Sequence, residues 1–326
     1  MRREPLLWLI GLALLIAGFF GSVAALNATV YSANGFVRAY LAALEAQDSA
    51  AALAAIGLTE VTSGSDALLT DSAMGELSDI ELVRDTPGSG GIHSVVFDYL
   101  LAADGSTAVD PQRTEFTVEQ TGTRFGLFPT WRFVASPLST LSVTVANADS
   151  FTANGQDAGA PADTPTGFAV FAPGIYELSH DSTYLAAARS GVPVTTTGAI
   201  LDAAIDPEPT PALIEWATDA AAAYLDDCAT QTVLMPTGCP FGESIANRID
   251  TEPQWSMVEY PEVEIERAED EVGAWMTRPA DGVAHLNVNV RSLFDGTVSR
   301  FDEDVPFEAR FGITFVGGEP SLRFAG

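Results

Sequence analysis

Residues 6–26, "LLWLIGLALLIAGFFGSVAAL", form a run of 21 residues that is apolar or small except for Ser22. No charged side chain stands between Glu4 and Arg38. At about 1.5 Å per residue such a helix is about 31 Å long, the thickness of a bilayer's hydrocarbon core. The run constrains everything after it: one membrane crossing near the N-terminus leaves roughly 300 residues to fold. Arg2 and Arg3 precede the run. The positive-inside tendency then keeps the N-terminus cytoplasmic and sends the remainder across. "SVAAL" also offers small residues where a signal peptide would be cut. That is the competing reading, although the apolar core exceeds the usual length of about 7–15 residues. On either reading the folded part is exported.

An exported part with these bulk properties is globular with an acidic surface. Hydrophobic residues make up 47% and charged residues 18% of the chain, a balance that departs from the composition of disordered segments. Against 44 acidic residues stand 15 basic ones, every one of them Arg, for a net charge of −29. The absence of Lys removes the P-loop lysine, Schiff-base chemistry and the Ser-x-x-Lys pair of penicillin-binding proteins. The acidity opposes nucleic acid, whose binders need clustered basic side chains, so no nucleic-acid partner is expected. Both cysteines, Cys228 and Cys239, lie in "CATQTVLMPTGCPF". In an oxidising compartment they are expected to form a structural disulfide across the Pro236–Gly238 turn, worth roughly 2.5–3 kcal/mol. The spacing is not that of a redox C-x-x-C pair.

Periodicity divides the remainder. "NGFVRAYLAALEAQDSAAALAAI" sets Phe36, Val37, Tyr40, Leu41 and Leu44 on one helical stripe, with Asn34 as a candidate N-cap. Strands follow: Val95, Phe97, Tyr99 and Leu101 alternate, "RTEFTVEQTGTRFGLF" reads as a hairpin around Thr121-Gly122, and "PTWRFVAS" closes the set. From 138 to about 205 the strands are short, with turns at Asn154-Gly155 and Pro173-Gly174. "PEPTP", 207–211, reads as a stiff linker. A second helix, capped by Thr210, then carries Leu213, Ile214, Ala217, Ala221, Tyr224, Leu225 and Cys228 on one face before the last strands. Helix followed by antiparallel sheet, twice, is an α+β plan. The expected organisation is a cytoplasmic tip and anchor over 1–30, an α+β roll over 31–137, a small β-sandwich module over 138–206 and a second roll over 207–326.

Four stretches, "FVRAYLAALEAQDSAAAL", "FGLFPTWRF", "VTVANADSFTANGQ" followed by "APGIYEL", and "CATQTVLMPTGCPF", give the chain a further likeness. It resembles TcaA-like exported bacterial proteins, in which one N-terminal anchor precedes β-rich modules and rolls of the nuclear-transport-factor type. The resemblance implies a cell-envelope role and brings no catalytic residues. Members often carry a cytoplasmic zinc ribbon ahead of the anchor, where this sequence has "MRREP".

Candidate sites are few. His285, Asn287, Asn289 and Arg291 alternate with Leu286, Val288 and Val290, so one face of a strand is polar. That face is plain solvated sheet, a recognition stripe, or the polar wall of a roll cavity. "GESIA", 242–246, has the outline of a nucleophile elbow around Ser244, but without the parallel α/β context an elbow needs. His93 heads an apolar strand and is expected to be a partly buried structural residue, and His180 is expected to be solvated in a turn. "EVEIERAEDE" and "FDEDVPFE" lack the spaced ligands and central Gly of a calcium loop and, in so acidic a chain, are expected to be solvated surface. "NAT" at 27–29 matches a glycosylation sequon pressed against the membrane. The expected function is a non-catalytic, membrane-anchored binding or scaffolding protein, partnered by the membrane and an envelope protein or cell-wall component, with no cofactor and no metal site. The alternative is a roll whose cavity binds a small molecule or performs acid-base chemistry.

Overall fold

The computed structural model describes residues 4–57, 64–103, 110–268 and 275–325. Arg2 and Arg3, on which the expected orientation rests, and 269–271 of the first acidic run lie outside the described residues. The class is α+β: one apolar N-terminal helix, then mostly antiparallel sheets. Two compact units are formed, one from residues 1–144, 150–179 and 189–205, the other from residues 145–149, 180–188 and 206–326. Residues 138–206, expected as a module of their own, thus divide between them.

The first unit begins with α1 (Glu4–Ala28), of which Trp8–Ala28 is long and apolar enough to cross a membrane. Its hydroxyl at Ser22 donates to Gly18 O at 2.9 Å, which satisfies the one polar side chain of the run within the helix itself. Four residues later the chain starts α2 (Ala33–Glu45), then α3 (Ser49–Ile56). The N-cap of α2 is Ser32, whose Oγ accepts from Gly35 N, and not Asn34 as expected. Helical geometry sets in earlier than the apolar stripe does, and Asn34 instead donates to Asp85 Oδ2 at 3.1 Å. Gly35 is there for want of room. A Cβ at that position would lie 2.0 Å from Thr29 O and 2.7 Å from Val30 O, so only glycine lets α2 fold back tightly on the end of α1.

Strands β1 (Glu76–Pro87), β2 (Ile92–Ala102), β3 (Gln112–Arg124) and β4 (Phe128–Phe133) form an antiparallel sheet in that order. Val37, Tyr40, Leu41 and Leu44 of α2 meet Val95, Phe97, Tyr99, Phe116 and Val118 of the sheet in one apolar core. The β3–β4 turn is not at Thr121-Gly122. Those residues sit at a bulge within β3, and the chain reverses at Phe125 and Gly126, whose φ values of 56° and 69° both lie in the left-handed region. Leu127 N closes this turn on Arg124 O at 3.2 Å. Two positive φ values twist a tight hairpin in the same sense as its strands.

The later strands are β5 (Leu138–Val145), β6 (Ser150–Ala153), β7 (Gln156–Gly159), β8 (Thr166–Phe171), β9 (Gly174–Asp181), β10 (Leu185–Val194) and β11 (Ile200–Ile205). β11, β5 and β8 make one sheet, and β10, β9, β6 and β7 lie in another. The turn expected at Asn154-Gly155 joins β6 to β7, with φ of 49° and 84°. "PEPTP" is not a free linker: Glu208–Pro209 forms β12, paired with Ala186 and Leu185 of β10.

In the second unit, Thr210 caps α4 (Pro211–Ala229) and Leu213, Ala217, Ala221, Leu225 and Cys228 are its buried stripe. Ile214, expected on that stripe, stands one residue round the helix and is 41% exposed. The following strands are β13 (Arg248–Ile249), β14 (Gln254–Glu259), β15 (Ile265–Arg267), β16 (Trp275–Thr277), β17 (Ala280–Arg291), β18 (Val298–Ala309), β19 (Phe311–Val316) and β20 (Glu319–Phe324). β17 is flanked by β18, β14 and β13, and β15, β16, β19 and β20 form the other sheet.

Candidate functional site

β17 alternates as the sequence requires. Ala284, Leu286, Val288 and Val290 are buried in a core with Phe241, Trp255, Val305 and Phe307. His285, Asn287 and Asn289 are half-buried on the opposite face, and Arg291 is exposed there. The register with β18 then brings specific partners across: His285 faces Asp304, Asn287 faces Asp302 and Asn289 faces Arg300.

His285 is held on both ring nitrogens. Nδ1 lies 2.7 Å from Asp304 Oδ1 and Nε2 lies 2.9 Å from Asp302 Oδ1. Ionised carboxylates only accept hydrogen bonds, so both contacts are made at once only by the imidazolium, which carries two N–H donors. Hydrogen bonds to Asp304 first and to Asp302 second raise the pKa of His285. The ladder continues through Arg300, which donates from Nε to Asn287 Oδ1 at 3.2 Å and pairs with Asp302 at 3.3 Å. Arg291 reaches to the other side of β17 and places Nε and one terminal nitrogen on Asp250 Oδ1 at 2.9 and 2.7 Å. Thr251 Oγ1 accepts from the backbone N–H of Asn289 at 2.9 Å. The four residues expected to form a polar stripe do share one face, and three of them are tied by side-chain hydrogen bonds to β18 or to Asp250. What such a face offers a ligand is an array of alternating charge.

Sequence reasoning set Asp302 and Asp304 aside as solvated acidity and gave Arg300 and Asp250 no role. The signal for three of them was present: Asp295-Gly296 between two alternating runs is a hairpin turn. Pairing outward from it puts Arg300, Asp302 and Asp304 on the polar face with His285, but two residues out of the observed register, in which Arg291 pairs with Val298 and Asp304 faces His285.

The comparisons with known proteins fall silent here: no family model, curated protein or solved structure matches the chain.

The disulfide expected in the same unit is present. Cys228, at the end of the buried stripe of α4, is bonded to Cys239. Its loop is shaped from inside, because Gln231 Oε1 accepts from Thr237 N at 2.9 Å, Gly238 takes φ of 74°, and the Tyr224 hydroxyl donates to Gly238 O. Trp255 Nε1 donates to Val233 O at 2.8 Å and the Phe241 ring packs tilted against Trp255 at 5.1 Å, so the loop is pinned to β14 as well as to α4.

The remaining candidates fall to structural roles. Ser244 is exposed in irregular backbone with no strand before it. His93 is half-buried, with Nδ1 2.7 Å from Asp85 Oδ1 and its ring edge-on to Trp131. His180, expected to be solvated, is 7% exposed, because it is the last inward position of β9 and not part of the turn that follows. In the first acidic run, Glu264 and Glu266 are engaged by Arg278 at 2.6 and 3.0 Å. Among the described residues no three His, Cys, Asp or Glu side chains are grouped as a metal would need.

Proposed function

We propose that the chain is a single-pass membrane protein whose folded units are held outside the cytoplasm, where they bind or scaffold other components of a bacterial cell envelope without catalysing a reaction. The observation that carries this reading is the state of α1. Its side chains from Trp8 onward are exposed except for Val23 and Asn27, with Trp8 at 81% and Leu15 at 74%. An apolar surface of that extent is stable in lipid, and the disulfide fits an oxidising compartment beyond it. Retention of the segment, as opposed to cleavage within "SVAAL", is supported by Val23, which is buried although it belongs to the would-be leader.

The helix-on-sheet arrangement of α2 and α3 with β1–β4, and of α4 with β13–β20, is read as two rolls of the nuclear-transport-factor type, which with the anchor makes a TcaA-like plan. A binding role is favoured over acid-base chemistry in a roll cavity by what lies under α2: Tyr40, Phe97, Tyr99 and Phe116 are all fully buried there. The Tyr40 hydroxyl is committed to Ala172 O and Pro137 O, and that of Tyr99 to Thr114. The polar face of β17 is the proposed contact surface. A photo-crosslinking amino acid at Asn289 in the anchored protein, irradiated in native membranes, is expected to trap a discrete envelope component. Absence of any adduct from this face, with the protein folded and in the membrane, would count against the binding role.

A further inference from the structure

The end of α1 is not a free tether. The Asn27 side-chain nitrogen donates to Leu127 O at 2.8 Å, across to the β3–β4 turn. Val23, one helical turn nearer the middle of the span on the same face, is buried, and α1 packs against β4. Beyond the helix, Tyr31 packs against Phe128 with ring centroids 4.5 Å apart and planes tilted by 36°, and Trp131 Nε1 donates to Tyr31 O at 2.9 Å. The β3–β4 turn therefore lies alongside the last turn of the apolar helix.

What the turn displays suits a membrane surface. Phe125 is 80% exposed at its tip, and the Arg124 guanidinium lies over its ring, 5.3 Å from the centroid. Residues 121–131, "TGTRFGLFPTW", contain no Asp or Glu in a chain that has 44, and Arg124 is their one charge. Leu26 and Val30 add exposed apolar surface on the adjoining helix end, at 40% and 59%. In water an exposed Phe held in a left-handed conformation gains nothing. At a membrane surface an aromatic ring beside a cation is the pairing that anchors, with the ring at the acyl boundary and the guanidinium among the phosphates.

We propose that the β3–β4 turn is a second membrane contact, in which Phe125 inserts into the leaflet at the C-terminal end of α1 and Arg124 meets lipid phosphate. This rests on the reading of α1 as a retained span. The two contacts together fix the first unit against the bilayer instead of leaving it to swing from a linker.

The test is nitroxide accessibility in the full-length protein, reconstituted in nanodiscs of phosphatidylcholine and phosphatidylglycerol. Labels are placed singly through Phe125→Cys, Thr123→Cys and Ala17→Cys, the native disulfide being left intact. Expected is a label at 125 that collides with oxygen in preference to a water-soluble nickel chelate, at a depth of roughly 5–10 Å below the surface. Position 123, in ordinary strand conformation, should read shallower but still protected, which keeps the result interpretable should the substitution at 125 disturb the turn. Adding Arg124→Glu should shift both readings toward water. Labels at 125 and 123 as open to the nickel chelate as free solvent, with 17 deep in lipid, would overturn the proposal and leave the anchor standing. A label at 17 in water would remove the anchor and this proposal with it.

Discussion

His285 is the residue whose chemistry the fold has altered most on the proposed contact face. Its pKa is raised by hydrogen bonds to Asp304 and Asp302. The stabilisation from this clamp is complete below the unfolded value of about 6.5 and is lost as pH rises through the higher folded value. With the imidazole 31% exposed the contribution is small, on the order of 0.5 kcal/mol. Titration of the His285 ring by NMR should give a midpoint above 6.5 that falls in Asp304→Asn and Asp302→Asn, and a midpoint at or below 6.5 in the parent would contradict the geometry. Gly35 makes a second prediction at this scale. Gly35→Ala drives a methyl into Thr29 O and should destabilise the first unit by roughly 1–3 kcal/mol, as an overpacked site does. The readout is thermal unfolding of the detergent-solubilised chain.

Among the elements, α4 and its disulfide loop form the most strongly cross-linked part of the second unit. Cys228 and Cys239 lie 11 positions apart in the chain, and closing a loop of that size stabilises by about 3 kcal/mol in the chain-entropy model. The double variant Cys228→Ser, Cys239→Ser should unfold several degrees lower, matching the parent in reductant, with no change in the first unit. Phe241→Ala, which empties the space between Trp255 and Phe307, should cost about 3–5 kcal/mol by the same measurement.

Elements of this kind were legible in the sequence where periodicity is strong. α4 with its Thr210 cap, the alternation of β17 and the Asn154-Gly155 turn follow from local chemistry. The β3–β4 turn was misplaced because Thr121-Gly122 looks more like a turn than Phe125-Gly126. A phenylalanine at positive φ is set by the surrounding hairpin, which no local rule announces. Asp302 and Asp304 are a related case: in a chain this acidic the hairpin at Asp295-Gly296 marks their face, but only the strand register places Asp304 opposite His285.

Over the whole molecule the organising fact is an apolar helix that ends in a folded unit with almost no slack. Thr29 to Ser32 alone separate α1 from α2, and Tyr31 N is bonded back to Leu26 O at 2.9 Å. Acidity is the other molecular-scale property. At −29 the chain is repelled by anionic surfaces at long range, so its attachment should resist high salt, being hydrophobic and not electrostatic in origin. Membranes carrying the full-length protein, extracted with alkaline carbonate and then analysed by intact mass, address both the anchor and its retention. The account predicts protein that stays with the lipid at the mass of a chain still containing Trp8–Ala28, whereas release into the supernatant, or a mass lacking that helix, would contradict it.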